Sequence, residues 1–167
     1  MLMTFDRCFM SVPKVNYEYK KQRREGMKYL IMVSHGDFAP GLHDALSMLA
    51  GKRDDVLSIG LGKDSNVDEL AENFAELIEP VKEDDKILVL GDLIGGSPLT
   101  TVLNVLNEKG FMPNTQVMGG MNLPLALTSV LMKDTFDGDA LAEAVLKEAH
   151  EGLREYKLAA EDDDDDV

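Results

Sequence analysis

A chain of 167 residues and 18.4 kDa, 44% hydrophobic, has the size and composition of one globular domain with a full core. No apolar run approaches the roughly 20 residues a membrane-spanning helix needs. Its single cysteine, Cys8, excludes a disulfide framework or a cysteine-built metal site and fits a reducing cytoplasm. The net charge of -14 divides into +3 over residues 1–26, -6 over Glu161–Asp166 and -11 between them, which disfavours nucleic acid or anionic lipid and suits a basic protein partner or simple solubility.

Residues 1–26 show no periodicity and no secretory apolar stretch. Lys20-Lys21-Gln22-Arg23-Arg24-Glu25-Gly26-Met27 can be encoded as AAR-AAR-CAR-AGG-AGG-GAR-GGN-ATG, a purine-rich ribosome-binding site before a start codon. The expectation is a disordered leader from a mis-called start, with the native chain beginning at Met27; the rival reading is a basic binding arm.

From Met27 the pattern alternates. Tyr29–Ser34 reads as a buried strand that stops at His35. Ala39–Ala50 reads as a helix with Leu42, Ala45, Leu46 and Leu49 on one face, ended by Gly51. Val56–Leu61 is a second strand. Ser65 or Asn66 caps a helix striped by Val67, Leu70, Phe74, Leu77 and Ile78. Ile87–Leu90 is a third strand, followed by Gly91 and Asp92. Ser97 is placed as the cap of the next helix, with Pro98 at its first position, running to about Lys109. Thr115–Met118 is a short fourth strand, and Asn122 caps a helix to about Met132. Asp137–Gly152 is a fifth helix and Leu153–Leu158 a last short strand. The run Asp162–Asp166 lacks the spaced ligands and turn glycine of a calcium loop and reads as a disordered, solvated tail over 159–167.

Alternation of this kind implies an α/β fold, doubly wound in three layers, with a mostly parallel sheet in the order 2-1-3-4 and the last strand antiparallel at an edge. Ligands in such sheets bind beyond the carboxyl ends of the strands where the winding reverses, here between the strands that end in His35 and Asp92. His35 is the candidate nucleophile, because a neutral imidazole has one free ring nitrogen. Asp92 would accept the proton of the other nitrogen, fixing the tautomer. Helix starts after His35 and at Ser97 favour an anion, so a phosphoryl group is the natural electrophile. Gly95 and Gly96 let backbone approach it, and the Ser97 hydroxyl can donate to it. Taken singly, each of these residues also has a purely structural reading: Asp92 as a loop cap, Gly95-Gly96-Ser97-Pro98 as a turn and helix start. His43 and His150 read as surface residues, and Met32, Met48, Met118 and Met132 as core fillers. There is no phosphate-binding G-x-x-x-x-G-K-[ST] loop, and nothing here calls for a metal or cofactor.

Val33-Ser34-His35-Gly36, Gly91-Asp92-Leu93-Ile94-Gly95-Gly96-Ser97-Pro98 and Gly119-Gly120-Met121-Asn122-Leu123-Pro124 together resemble the IIA component of the mannose family of the bacterial sugar phosphotransferase system, over about Met27–Leu158. The resemblance implies that His35 accepts a phosphoryl group from the phosphocarrier protein HPr and passes it to a IIB component, which serves membrane partners IIC and IID. It implies that Asp92 orients the histidine and that Gly36, Gly95, Gly96 and Ser97 hold the phosphoryl group. Some relatives carry a hydroxyl directly after that aspartate, where Leu93 stands here. The resemblance further implies a homodimer exchanging the C-terminal strand, and a separate subunit without its own IIB domain. Two other readings stay open: a regulatory domain phosphorylated by HPr, and a non-enzymatic module holding a small anion or nucleotide.

Overall fold

The computed structural model describes residues 26–157. The expected leader (through residue 25) and acidic tail lie outside the described residues. Four strands, β1 Lys28–His35, β2 Val56–Leu61, β3 Lys86–Gly91 and β4 Thr115–Met118, form one parallel sheet in the order β2-β1-β3-β4, as the alternation predicts. The helices are α1 Phe38–Ala50, α2 Val67–Leu77, α3 Ser97–Glu108, α4 Leu123–Met132 and α5 Gly138–Glu151.

Three layers follow from side-chain alternation along buried strands. Leu30, Met32, Leu88 and Leu90 face one way, onto Leu42 and Leu46 of α1, Leu125 and Val130 of α4, and Val145 of α5. Tyr29, Ile31, Val33, Ile87 and Val89 face the other, onto Phe74 of α2 and Leu99, Val102 and Leu106 of α3. Helix starts follow their caps. The Asn66 side chain accepts from the Asp68 and Glu69 N–H groups, both at 2.9 Å, and Asn122 accepts from the Leu125 N–H at 2.8 Å.

At the amino-terminal edge of the sheet, Lys133 is 1% exposed at the end of α4. Its ammonium donates to the Lys28 carbonyl and pairs with Asp55 (2.6 Å) and Asp134 (2.9 Å). Arg53 binds the same two carboxylates at 2.7 and 2.9 Å. A buried charge is tolerated only with such partners, and these tie α4 to the starts of β1 and β2.

Some expectations need correction. Met48 and Leu49 are 82% and 59% exposed, because the packed face of α1 turns past them; neither fills the core. Gly96, not Ser97, is the N-cap of α3, so Ser97 and Pro98 are its first two residues. The expected last strand is a separate matter: within this single chain residues 153–157 have no strand to pair with, and residue 158 lies outside the described residues.

Candidate functional site

β1 and β3 lie side by side in parallel, with Val33 opposite Gly91, so both chains leave the same edge of the sheet together. The Asp92 N–H donates to the Val33 carbonyl at 3.1 Å, which extends the pairing one step beyond the strands. There the Asp92 Oδ2 accepts the backbone N–H of His35 at 2.8 Å and lies 2.9 Å from His35 Nδ1. Its Oδ1 accepts the Leu93 N–H at 2.7 Å. Burial pushes the Asp92 carboxyl up, but the bonds from the His35 backbone, the His35 ring and Leu93 outweigh it and hold the group below its usual range. An ionised carboxylate only accepts, so Nδ1 carries the proton and the free lone pair sits on Nε2. The side chain of His35 is 47% exposed and that of Asp92 17%: the ring is reachable and the group that orients it is sheltered.

The loop from Asp92 to Ser97 is shaped by its glycines. Gly95 adopts φ +79, which a side chain would strain. A β-carbon on Gly96 would lie 2.8 Å from His35 Cε1, so only glycine lets this backbone pass against the ring. The Gly96 N–H closes the loop onto the Leu93 carbonyl at 3.2 Å, so Gly96 offers proximity and not a free amide. Ser97 is exposed, and among the described residues its hydroxyl makes no hydrogen bond. It opens α3, where the N–H groups of Ser97 and Leu99 lack intrahelical partners and Pro98 between them has no N–H.

Gly36 departs from its expected role. Its N–H donates to the Leu61 carbonyl at 2.8 Å, so this amide is committed to the β1–β2 ladder and does not face an anion. Two further residues matter here that the sequence reading passed over. Ser34 is fully buried, and its Oγ accepts the Ala39 N–H at 2.7 Å. It thereby caps α1, whereas Asp37 at the cap position makes no side-chain bond. Gly60 packs against Gly36 so closely that a β-carbon there would lie 1.9 Å from the Gly36 carbonyl oxygen. The signal for Ser34 was present, a lone hydroxyl at the end of an apolar run; nothing local marked Gly60.

Phe38 (48% exposed), Leu93 (59%) and Ile94 (77%) form an apolar rim on the segments that carry His35 and Asp92. His43 is half-buried, not a surface residue: its Nδ1 lies 3.0 Å from Ser58 Oγ, and burial lowers its pKa against the opposing pull of Asp44. His150 is exposed, as expected. Among the described residues no helix is long and apolar enough to cross a membrane, and no three His, Cys, Asp or Glu groups are placed to hold a metal ion.

Residues 29–146 match the family EIIA-man, described as "PTS system fructose IIA component". A fructose-specific EIIA component of Bacillus subtilis is 24% identical over 144 residues, covering 82% of this chain and 97% of that protein. The mannose-specific EIIAB component of Escherichia coli is 23% identical over 129 residues, which span 77% of this chain and 39% of that longer protein. Among solved structures, a phosphotransferase system component EIIA from Streptococcus agalactiae superposes with a TM-score of 0.66 at 28% identity, over 77% of this chain and 97% of that one. A mannose/sorbose-specific IIA subunit from Enterococcus faecalis shares the fold with a TM-score of 0.67 at 22% identity, over 80% and 98%.

Proposed function

Since the chain belongs to the EIIA-man family of phosphotransferase-system IIA components, we propose that it is a phosphohistidine carrier, charged on His35 by phospho-HPr and discharged to a IIB component during sugar uptake through IIC and IID. The observation that carries this reading is the 2.9 Å contact between His35 Nδ1 and Asp92 Oδ2, which leaves Nε2 as the nucleophile on an accessible ring. The Nε2 lone pair attacks phosphorus in line. The bond from phosphorus to the donor nitrogen breaks, and its electron pair stays on the donor imidazole. The Nδ1 proton remains on His35, and the ring gains positive charge that Asp92 offsets. Discharge to IIB is the same step in reverse.

The three phosphoryl oxygens would meet the first-turn amides of α3 and the Ser97 hydroxyl, with Gly95 and Gly96 providing close approach. This is positioning and electrostatic stabilisation, the two contributions phosphoryl transfer chiefly needs. The apolar rim of Phe38, Leu93 and Ile94 would seat each protein partner in turn, and the acidic surface would favour a basic one. The same reading includes a homodimer in which residues from Leu153 to Leu158 add an antiparallel strand to the partner subunit's sheet. β4 is one of the two edge strands of the sheet, and Leu153 and Tyr156 are 72% and 85% exposed.

Incubation with enzyme I, HPr and labelled phosphoenolpyruvate tests the reading. It expects one label, stable to base and labile to acid as a phosphohistidine is, that is absent from His35→Ala. A label retained by folded His35→Ala, or none on the parent protein, would sink it.

A further inference from the structure

We propose that Ser34 is a positioning residue for the phosphoacceptor, acting through the turn that carries His35. The proposal rests on the carrier reading for its kinetic consequence, but its structural content stands apart from it. Alternation along β1 places Ser34 on the face that Leu30 and Met32 occupy, against α1. A hydroxyl fully buried there is costly unless bonded. It is bonded twice: Oγ accepts the Ala39 N–H at 2.7 Å and donates to the Gly36 carbonyl at 3.4 Å. These two bonds span the turn from residue 34 to residue 39, in which His35 is the second residue. They brace it from inside, while the Asp92 carboxylate and the Leu61 carbonyl hold the His35 and Gly36 N–H groups from outside.

Gly36 turns at φ +53, a region where the chain has no side-chain preference to keep it in place. The Ser34 hydroxyl supplies that restraint. It also occupies the Ala39 amide at the start of α1, removing one donor from that helix start. Ser34 thus fixes where the imidazole stands. Displacements of about 1 Å in such a geometry cost up to about 10²-fold in rate.

Ser34→Ala and Ser34→Thr, made in the full chain, test this. Amide spectra first report whether each variant keeps the fold. In Ser34→Ala the expected result is a fall in phosphotransfer kcat of roughly 10-fold or more with little change in KM for phospho-HPr. The expected companion result is a weakened His35–Asp92 bond, read as a shift in the imidazole ¹⁵N signals toward mixed tautomers. Ser34→Thr, which keeps the hydroxyl, should recover most of the rate and the parental ring signals. A folded Ser34→Ala with parental rate and parental ring signals would overturn the proposal. So would Ser34→Thr as impaired as Ser34→Ala, because volume and not the hydroxyl would then be at issue. If the parent protein accepts no phosphoryl group, the carrier reading fails instead, and the ring signals alone decide the role of Ser34.

Discussion

Asp92→Asn isolates the charge and the acceptor count of the orienting group while preserving its shape. The carboxylate accepts three hydrogen bonds, two at Oδ2 from His35 and one at Oδ1 from Leu93. An amide has one oxygen and one NH₂, so it cannot satisfy both sides. With its oxygen toward His35, the NH₂ opposes the Leu93 N–H. With its NH₂ toward His35, it opposes the backbone N–H and forces Nδ1 to accept, which moves the ring proton to Nε2 and blocks the nucleophile. Even in the better orientation, a bond from the ring to a charged acceptor becomes a bond to a neutral one just as positive charge develops. Bonds to charged groups contribute about 1.5–3 kcal/mol, and each 1.36 kcal/mol is a factor of ten in rate. A slowing of roughly 10- to 100-fold in kcat is expected from rapid-quench phosphorylation by phospho-HPr, together with a shift of the imidazole ¹⁵N signals toward the Nε2–H tautomer. Parental transfer rates in a folded Asp92→Asn protein would refute the argument that this carboxylate prepares Nε2.

Gly96→Ala should displace the imidazole, since a β-carbon there falls 2.8 Å from Cε1; the expected outcome is slow phosphorylation with an intact fold, read by transfer assay and amide spectra. Ile94→Asp should raise KM for phospho-HPr while sparing kcat at saturation, because Ile94 is 77% exposed on the rim and touches no reacting atom; steady-state kinetics checks it. Acid stability reports the opposite edge of the sheet. The hydrogen bond from Arg53, against the opposing effect of burial and with Lys133 assisting, takes Asp55 from 3.8 down to about 2. A depressed carboxyl stabilises above its unfolded pKa, so about 2 kcal/mol is present above pH 4 and is lost as pH falls toward 2. Urea titrations across that range should show the loss, and Asp55→Asn should flatten it.

The sheet order, all five helices and the meeting of His35 with Asp92 were legible because each rests on a local pattern: apolar runs of strand length, caps at Asn66 and Asn122, and parallel strands whose ends must share an edge. What the sequence could not supply was which polar groups were already occupied. Gly36 is expected to hold the phosphoryl group only because the family resemblance implies it; its amide is taken by Leu61, a partner 25 residues away. Asp37 had the right chemistry and place for a cap, yet Ser34 does that work from inside the preceding strand. Met48 and Leu49 lie off the packed face of α1, which continues to Ala50. Lys133 looks like an ordinary surface lysine at a helix end, and only the fold brings Asp55 to it. Each miss concerns a contact whose partner lies elsewhere in the chain, or a face whose extent tertiary packing decides.

That distinction also says why the proposed chemistry belongs to one end of this sheet and not the other. Both ends carry charged groups on chain segments that flank the strands. At the amino-terminal edge, Arg53 and Lys133 each pair with both Asp55 and Asp134, so all four charges satisfy one another. At the carboxyl-terminal edge, Asp92 is fully engaged, but in a way that leaves Nε2 of His35 open, beside the start of α3, where the exposed Ser97 offers an N–H and a hydroxyl. A phosphoryl group carries the acceptor oxygens those donors lack and the electrophilic centre that the lone pair on Nε2 can attack. A neutral ligand would answer only the donors, and a plain anion such as sulfate would leave the lone pair unused. On the proposed carrier reading, the arrangement suits a transferable phosphoryl group better than a merely bound one.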